Sequence, residues 1–90
     1  MEYQLDFSEQ AQLDIAFFKV KGDFSSLNKI LKLLQEITVH PFTGTGKPEK
    51  LKYNLSGCWS RRINKEDRLI YEIVENRILI HSVRGHYHQK

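Results

Sequence analysis

The apolar positions of this chain follow one period early and another late. From residue 27, Leu27, Ile30, Leu31, Leu34 and Ile37 recur at intervals of three and four, which predicts an amphipathic helix with one buried face. Asp23 or Ser25 supplies the short polar side chain that caps such a helix. Pro41 ends it, because proline cannot donate to the ladder and biases His40 away from helical geometry. An earlier helix is predicted from Ser8 or Glu9 to about Val20, with Ala11, Ile15 and Phe18 on one stripe and Gly22 as its C-cap. The stretch "EYQLDFS" ahead of it alternates enough for a first strand.

After the loop "PFTGTGKPEK" the pattern turns to strand formers. "KLKYNL", "CWSRRI", "RLIYEIV" and "RILIHSV" are predicted strands, punctuated by Ser56-Gly57, by Asn64 to Asp67, and by the two-residue turn Glu75-Asn76. That last turn sets a register in which Ile73 pairs with Ile78, Tyr71 with Ile80 and Leu69 with Ser82. Because strand side chains alternate, this set forms the face toward the helices. Arg68, Ile70, Glu72, Leu79 and His81 fall on the opposite face. The fold class is α+β: an N-terminal strand and helical pair packed on a C-terminal antiparallel sheet, as one domain over residues 1–90.

Composition narrows the function classes. A chain of 90 residues that is 40% hydrophobic and 28% charged has the make-up of a single globular core. No apolar run reaches bilayer-spanning length, and the acidic opening is unlike a signal peptide. The single cysteine, Cys58, excludes an internal disulfide and fits a reducing compartment, so a cytoplasmic location is expected. The net charge of +3 is unevenly spread: residues 1–46 balance to −2 and residues 47–90 to +5. A basic half of this kind attracts phosphates in a salt-dependent way.

Three groups at segment ends suggest chemistry. Glu49 follows the Gly-Pro loop, Arg68 opens a strand, and His86 follows the last one. An acid, a fixed cation and an imidazole are sufficient to cleave RNA without a metal: a base for the ribose 2′-hydroxyl, a charge to steady the phosphate, and an acid for the departing 5′-oxygen. Spacing alone is weak support, since small basic domains often scatter such residues. Other sharp readings fail. "GTGKPEK" lacks the full phosphate-loop pattern and precedes a strand, so its glycines serve to turn the backbone and bring Glu49 inward. His81, His86 and His88 have no second ligand cluster beside them, so no metal or other cofactor is expected. His40 is a loop residue, Tyr53 and Tyr71 are core aromatics, Trp59 is a core aromatic or, near Arg61, a base-stacking platform, and Cys58 is a small apolar filler with no partner for nucleophilic work.

The stretch "HPFTGTGKPEKLKYNLSGCWSRRINKEDRLIYEI", residues 40 to 73, with the ending "RGHYH", resembles the YoeB/Txe toxins. These are ribosome-dependent mRNA interferases of the RelE/ParE superfamily, found in bacterial toxin–antitoxin pairs. The resemblance implies Glu49 as general base, Arg68 as phosphate stabiliser and His86 as general acid. It makes Arg62, Glu66 and Tyr87 supporting residues. Lys47, Lys50, Lys52, Arg61 and Arg84 are then the expected RNA-binding set. It also implies an antitoxin with a flexible segment that folds on binding, a toxin homodimer, and contact with operator DNA through the antitoxin complex. Its substrate is mRNA in the decoding site of the ribosome.

Two positions depart from the family pattern. Gly85 stands where an aromatic residue is frequent, which suggests either a missing stacking group or a looser tail, and Cys58 stands where another aromatic is common. His88 is an alternative proton donor to His86. The rival class is a non-catalytic member of the same fold that binds a protein or an RNA. An acidic antitoxin encoded beside this chain favours the toxin, and mapped mRNA ends on translating ribosomes distinguish cutting from binding.

Overall fold

The computed structural model describes residues 2–85. The elements are β1 (Gln4–Phe7), α1 (Glu9–Lys21), α2 (Phe24–Ile37), β2 (Glu49–Lys50), a 3-10 turn (Tyr53–Leu55), β3 (Cys58–Arg62), β4 (Arg68–Val74) and β5 (Arg77–Ser82). The sheet runs β1-β5-β4-β3-β2. Strand β1 lies parallel to β5 while the other pairs are antiparallel, so the sheet is mixed. No helix among the described residues is long and apolar enough to cross a membrane.

The helix ends form where the sequence predicts. The Ser8 hydroxyl accepts from the Ala11 amide, and Gly22 closes α1 in the left-handed conformation, φ 78°, with its amide donating to Phe18 and Lys19 carbonyls. The Asp23 carboxylate accepts from the Ser26 amide and starts α2. Ile30, Leu34 and Ile37 of α2 meet Tyr71, Ile78 and Ile80 of the sheet in one core, with Leu27 and Ile73 packed at its margin. Each such side chain, when fully buried, stabilises the fold by about 1.5–3 kcal/mol. Leu33 is fully buried in this core, whereas Leu31 is 58% exposed, so the apolar stripe of α2 is rotated from the expected one.

Three predicted local features differ. "KLKYNL" is not a strand: pairing stops after β2, Leu51 turns into the core, and Tyr53, at φ 57°, enters the 3-10 turn with its ring exposed. Tyr53 is therefore not a core aromatic. The β4–β5 hairpin has the expected Ile73–Ile78 and Tyr71–Ile80 pairs, but Ser82 pairs with Ile70 in place of Leu69. Two residues of β5, His81 and Ser82, thus advance the ladder by one residue of β4, which is a β-bulge.

Helix α1 holds that bulge from both sides. Ser8 Oγ donates to the His81 carbonyl at 2.7 Å, and the Val83 amide donates to Asp14 Oδ2 at 3.0 Å. Asp14 is buried and also accepts from Gln10 at 2.8 Å. The extra residue reverses the inside-outside parity of the strand end, so Val83 is fully buried and Ser82 joins the outer face.

Candidate active site

Cross-strand pairs share a face, and the pairs Glu49–Ser60, Ser60–Ile70, Cys58–Glu72 and Arg62–Arg68 define the outer face of the sheet. Arg68 is on that face, away from the helices, as its strand parity predicts. Its guanidinium Nη1 lies 3.9 Å from Glu49 Oε1, with the Arg68 side chain 20% exposed and the Glu49 side chain 51% exposed. Arg62 stands directly across from Arg68 and is exposed, so two guanidinium-bearing residues occupy adjacent strands on one face. Such a pair repels itself and attracts an anion.

The chain also returns to this point at its other end. The Arg68 amide donates to the Gly85 carbonyl at 3.1 Å, and the Gly85 amide donates to Asp67 Oδ1 at 2.7 Å. Gly85, at φ 85°, is thereby tied to the start of β4. Gly85 itself is thus anchored beside Arg68, while the tail whose looseness was expected lies outside the described residues. His86, Tyr87 and His88 lie outside the described residues. Glu66 is exposed in the turn that Asn64 organises, where Asn64 Oδ1 accepts from the Glu66 and Asp67 amides, 2.8 Å each.

The expected RNA-binding residues do not form one group. Lys47 and Lys52 are exposed along the approach to and exit from β2. Lys50 pairs with Trp59, on the face opposite Glu49, because neighbouring strand residues alternate. Arg84 is exposed at the end of β5 with its guanidinium 3.4 Å from the centroid of the Phe17 ring on α1. Trp59 packs at the core margin and against Phe42, ring centroids 5.0 Å apart, so it is a packing residue and not a base platform.

Arg61 is the main correction. It is fully buried on the inner face and cannot touch RNA without unfolding its surroundings. Its Nε donates to Tyr71 Oη at 3.1 Å, Nη1 to Glu36 Oε1 at 2.7 Å and the Thr45 carbonyl at 3.3 Å, and Nη2 to the Thr43 carbonyl at 2.8 Å and the His40 carbonyl. All five guanidinium donors are used. Tyr71 Oη donates in turn to the Pro41 carbonyl at 2.6 Å, and burial raises the Tyr71 pKa. The Thr45 amide, then the Thr45 hydroxyl and Arg61, hold Glu36 below the usual carboxylate range.

This network explains the glycines of the loop. A Cβ on Gly44 would lie 2.0 Å from Glu36 Oε1, and Gly44 sits at φ 122°, so a side chain there would displace the carboxylate. The Gly46 carbonyl accepts from the Arg62 amide at 2.7 Å, which clamps the loop to β3 immediately before Lys47 and Glu49. The loop turns around Arg61 and delivers Glu49 to the edge strand. Sequence reasoning missed Ser60, a fully buried residue between Glu49 and Ile70 on the outer face, whose hydroxyl has no partner among the described residues. Its signal was present in the alternation of "CWSRRI", which places Ser60 with Arg62.

The chain matches the model of the YoeB-like toxin of bacterial type II toxin–antitoxin systems over residues 7–87. It is 46% identical over 84 residues to "Toxin YoeB" of Synechocystis, covering 93% of this chain and 96% of that protein. Among solved structures it resembles the YoeB dimer of Staphylococcus aureus, with TM-score 0.84 and 43% identity over 97% of this chain and 100% of that one. It also resembles a chain of the YoeB-YefM complex from the same organism, with TM-score 0.82 and 42% identity over the same shares. A match of this extent, on the fold described above, makes this chain a member of the YoeB-like toxin family of type II toxin–antitoxin systems.

Proposed function

We propose that this toxin is an endoribonuclease that cuts mRNA in the decoding site of the ribosome and so stops translation. Glu49 takes the proton of a ribose 2′-hydroxyl, and the 2′-oxygen attacks the adjacent phosphorus. Arg68 offsets the charge that gathers on the phosphoryl oxygens. The bond from phosphorus to the 5′-oxygen breaks as His86 donates a proton to that oxygen. The products are a 2′,3′-cyclic phosphate and a 5′-hydroxyl end. Base, cation and acid are all side chains, so the cut itself requires no metal.

The observation that carries this reading is the meeting of three chain segments at Arg68. Glu49 approaches it from β2 at 3.9 Å, Arg62 faces it from β3, and Gly85, the residue before His86, is hydrogen-bonded to its amide. Arg62, Glu66 and Tyr87 support that set, and Lys47, Lys52 and Arg84 hold RNA backbone around it. Arg61 acts only through the loop it organises.

The S. aureus relatives supply the expected partners: an antitoxin of the YefM kind and a second toxin copy. A flexible antitoxin segment that covers the basic outer face silences the toxin, and the complex meets operator DNA through the antitoxin. The site of action is the cytoplasm, where translating ribosomes are. Primer extension on ribosome-bound message tests the reading. The native chain should give new 5′ ends inside the decoding site, and folded Arg68→Ala should give almost none. Near-normal cutting by that variant would overturn the assignment.

A further inference from the structure

We propose that Cys58, Glu72 and His81 form a binding site for a borderline transition-metal ion, zinc(II) foremost, on the outer face of the sheet. One ligand atom from each lies within 4.8 Å of the others, and His81 Nε2 is already 2.9 Å from Glu72 Oε1. Each comes from a different strand. Cys58 of β3 stands across from Glu72 of β4, and His81 of β5, on the same outer face, reaches the same carboxylate.

The donor set selects the ion. A thiolate, an imidazole and a carboxylate favour zinc or its neighbours and are a poor match for magnesium or calcium, which take oxygen ligands. In a tetrahedral zinc site with bonds of about 2.0–2.3 Å, ligand atoms sit roughly 3.3–3.6 Å apart. Rotation about the terminal side-chain torsions closes the remaining gap. The three residues also line a cavity of about 610 Å³, bordered by Asn54, Ser82 and Arg84, which leaves room for water as a fourth ligand. Cys58 binds as thiolate and releases its proton to solvent. The ion then ties β3, β4 and β5 together on the face that carries Arg68.

Cobalt(II) titration of the full-length, metal-free chain tests this without reference to cleavage. The expected result is one cobalt per chain, with a thiolate-to-cobalt charge-transfer band and the intense visible bands of tetrahedral cobalt. Zinc should displace it, and a large excess of magnesium should not. Cys58 is the only cysteine, so a thiolate band has a single source. Cys58→Ser should abolish that band, and His81→Gln should weaken zinc binding at least by the roughly 10–100-fold that loss of even an outer-shell partner costs. A His86→Gln, His88→Gln double variant should keep the band. Circular dichroism melts establish that each variant is folded. The proposal falls if the folded native chain gives no charge-transfer band, or if two chains share one ion. It falls equally if the tail variant loses the ion while His81→Gln retains it.

Discussion

Arg61 and Arg62 are neighbours in sequence, and their fates divide the molecule. Arg61 points inward, is fully buried, and spends all five donors on Glu36, Tyr71 and the carbonyls of His40, Thr43 and Thr45. Arg62 points outward across from Arg68, exposed on the face that Glu49 joins. One residue of strand parity separates a structural cation from a functional one. The inner cation is enclosed by acceptors that hold it away from solvent, whereas the outer pair lies beside Glu49 on a face that an RNA phosphate can approach.

The strongest way to break this contrast is to remove the inner cation. Arg61→Ala leaves Glu36 without its cation and three loop carbonyls without their Arg61 donor, and breaking a buried ion pair from one side costs about 3–5 kcal/mol. For a domain of this size each kcal/mol shifts the melting temperature by roughly 4–8 °C, so the midpoint should fall by more than about 10 °C. Arg61→Lys should rescue little of this, because an ammonium group has three donors and no planar fork. A melting temperature within a few degrees of the native value would remove Arg61 from its place as organiser of the loop.

The outer cation should behave in the opposite way. Arg68→Ala is expected to lower the single-turnover cleavage rate on ribosome-bound mRNA by about 10²–10³-fold, equivalent to about 2.7–4 kcal/mol in the transition state. The melting temperature should fall less than for Arg61→Ala, because the Arg68 side chain is partly exposed on the outer face and belongs to no position of the helix-facing core. A large loss of stability would show that Arg68 is a second packing arginine.

Much of this division was legible in the residues. The period change after Pro41 gave the α+β class, the helix caps fell at Ser8, Gly22 and Asp23, and strand parity put Arg68 on the outer face. The bulge was not legible, because it depends on Ser8 and Asp14 holding two ends of a distant strand. The same limit applies to Arg61. Its parity in "CWSRRI" already opposed Arg62, but arginines are rarely fully buried, and nothing local revealed that Glu36 and the Gly44–Gly46 loop would meet it. Cys58 read as a filler for a related reason: its neighbours Glu72 and His81 come from other strands.

Acid separates the faces by a gentler route. The Glu36 carboxyl is held below its usual value of 4.5, chiefly by the Thr45 amide. A lowered folded-state pKa contributes stability that is present above the unfolded value and is lost as pH falls through the folded one. Melting temperature should therefore decline below about pH 4.5. Asp6, held down chiefly by its hydrogen bond to Arg77, and Asp23, held down chiefly by Ser26, add to the same acid limb. Glu36→Gln should start less stable and show a shallower acid limb, and the difference between the two curves isolates Glu36. Parallel curves would mean that the carboxylate of Glu36 does not distinguish the folded from the unfolded chain.

The smallest effect is the most specific to the two faces. Lys50 and Arg62 are both exposed cations of the basic half, and net charge alone treats them as equals. Parity does not: Lys50 pairs with Trp59 on the inner side of the edge strand, and Arg62 pairs with Arg68 on the outer side. If RNA lies on the outer face, each phosphate contact adds about 0.7 to the slope of log affinity against log salt for a single strand. Arg62→Ala should lower that slope by roughly this amount, measured with a non-cleavable oligonucleotide. Lys50→Ala should leave it unchanged while weakening affinity only slightly through the general field, which salt screens over about 10 Å at 0.1 M. An equal loss of slope in the two variants would mean that RNA wraps the β2 edge, and the outer face would then be only part of the binding surface.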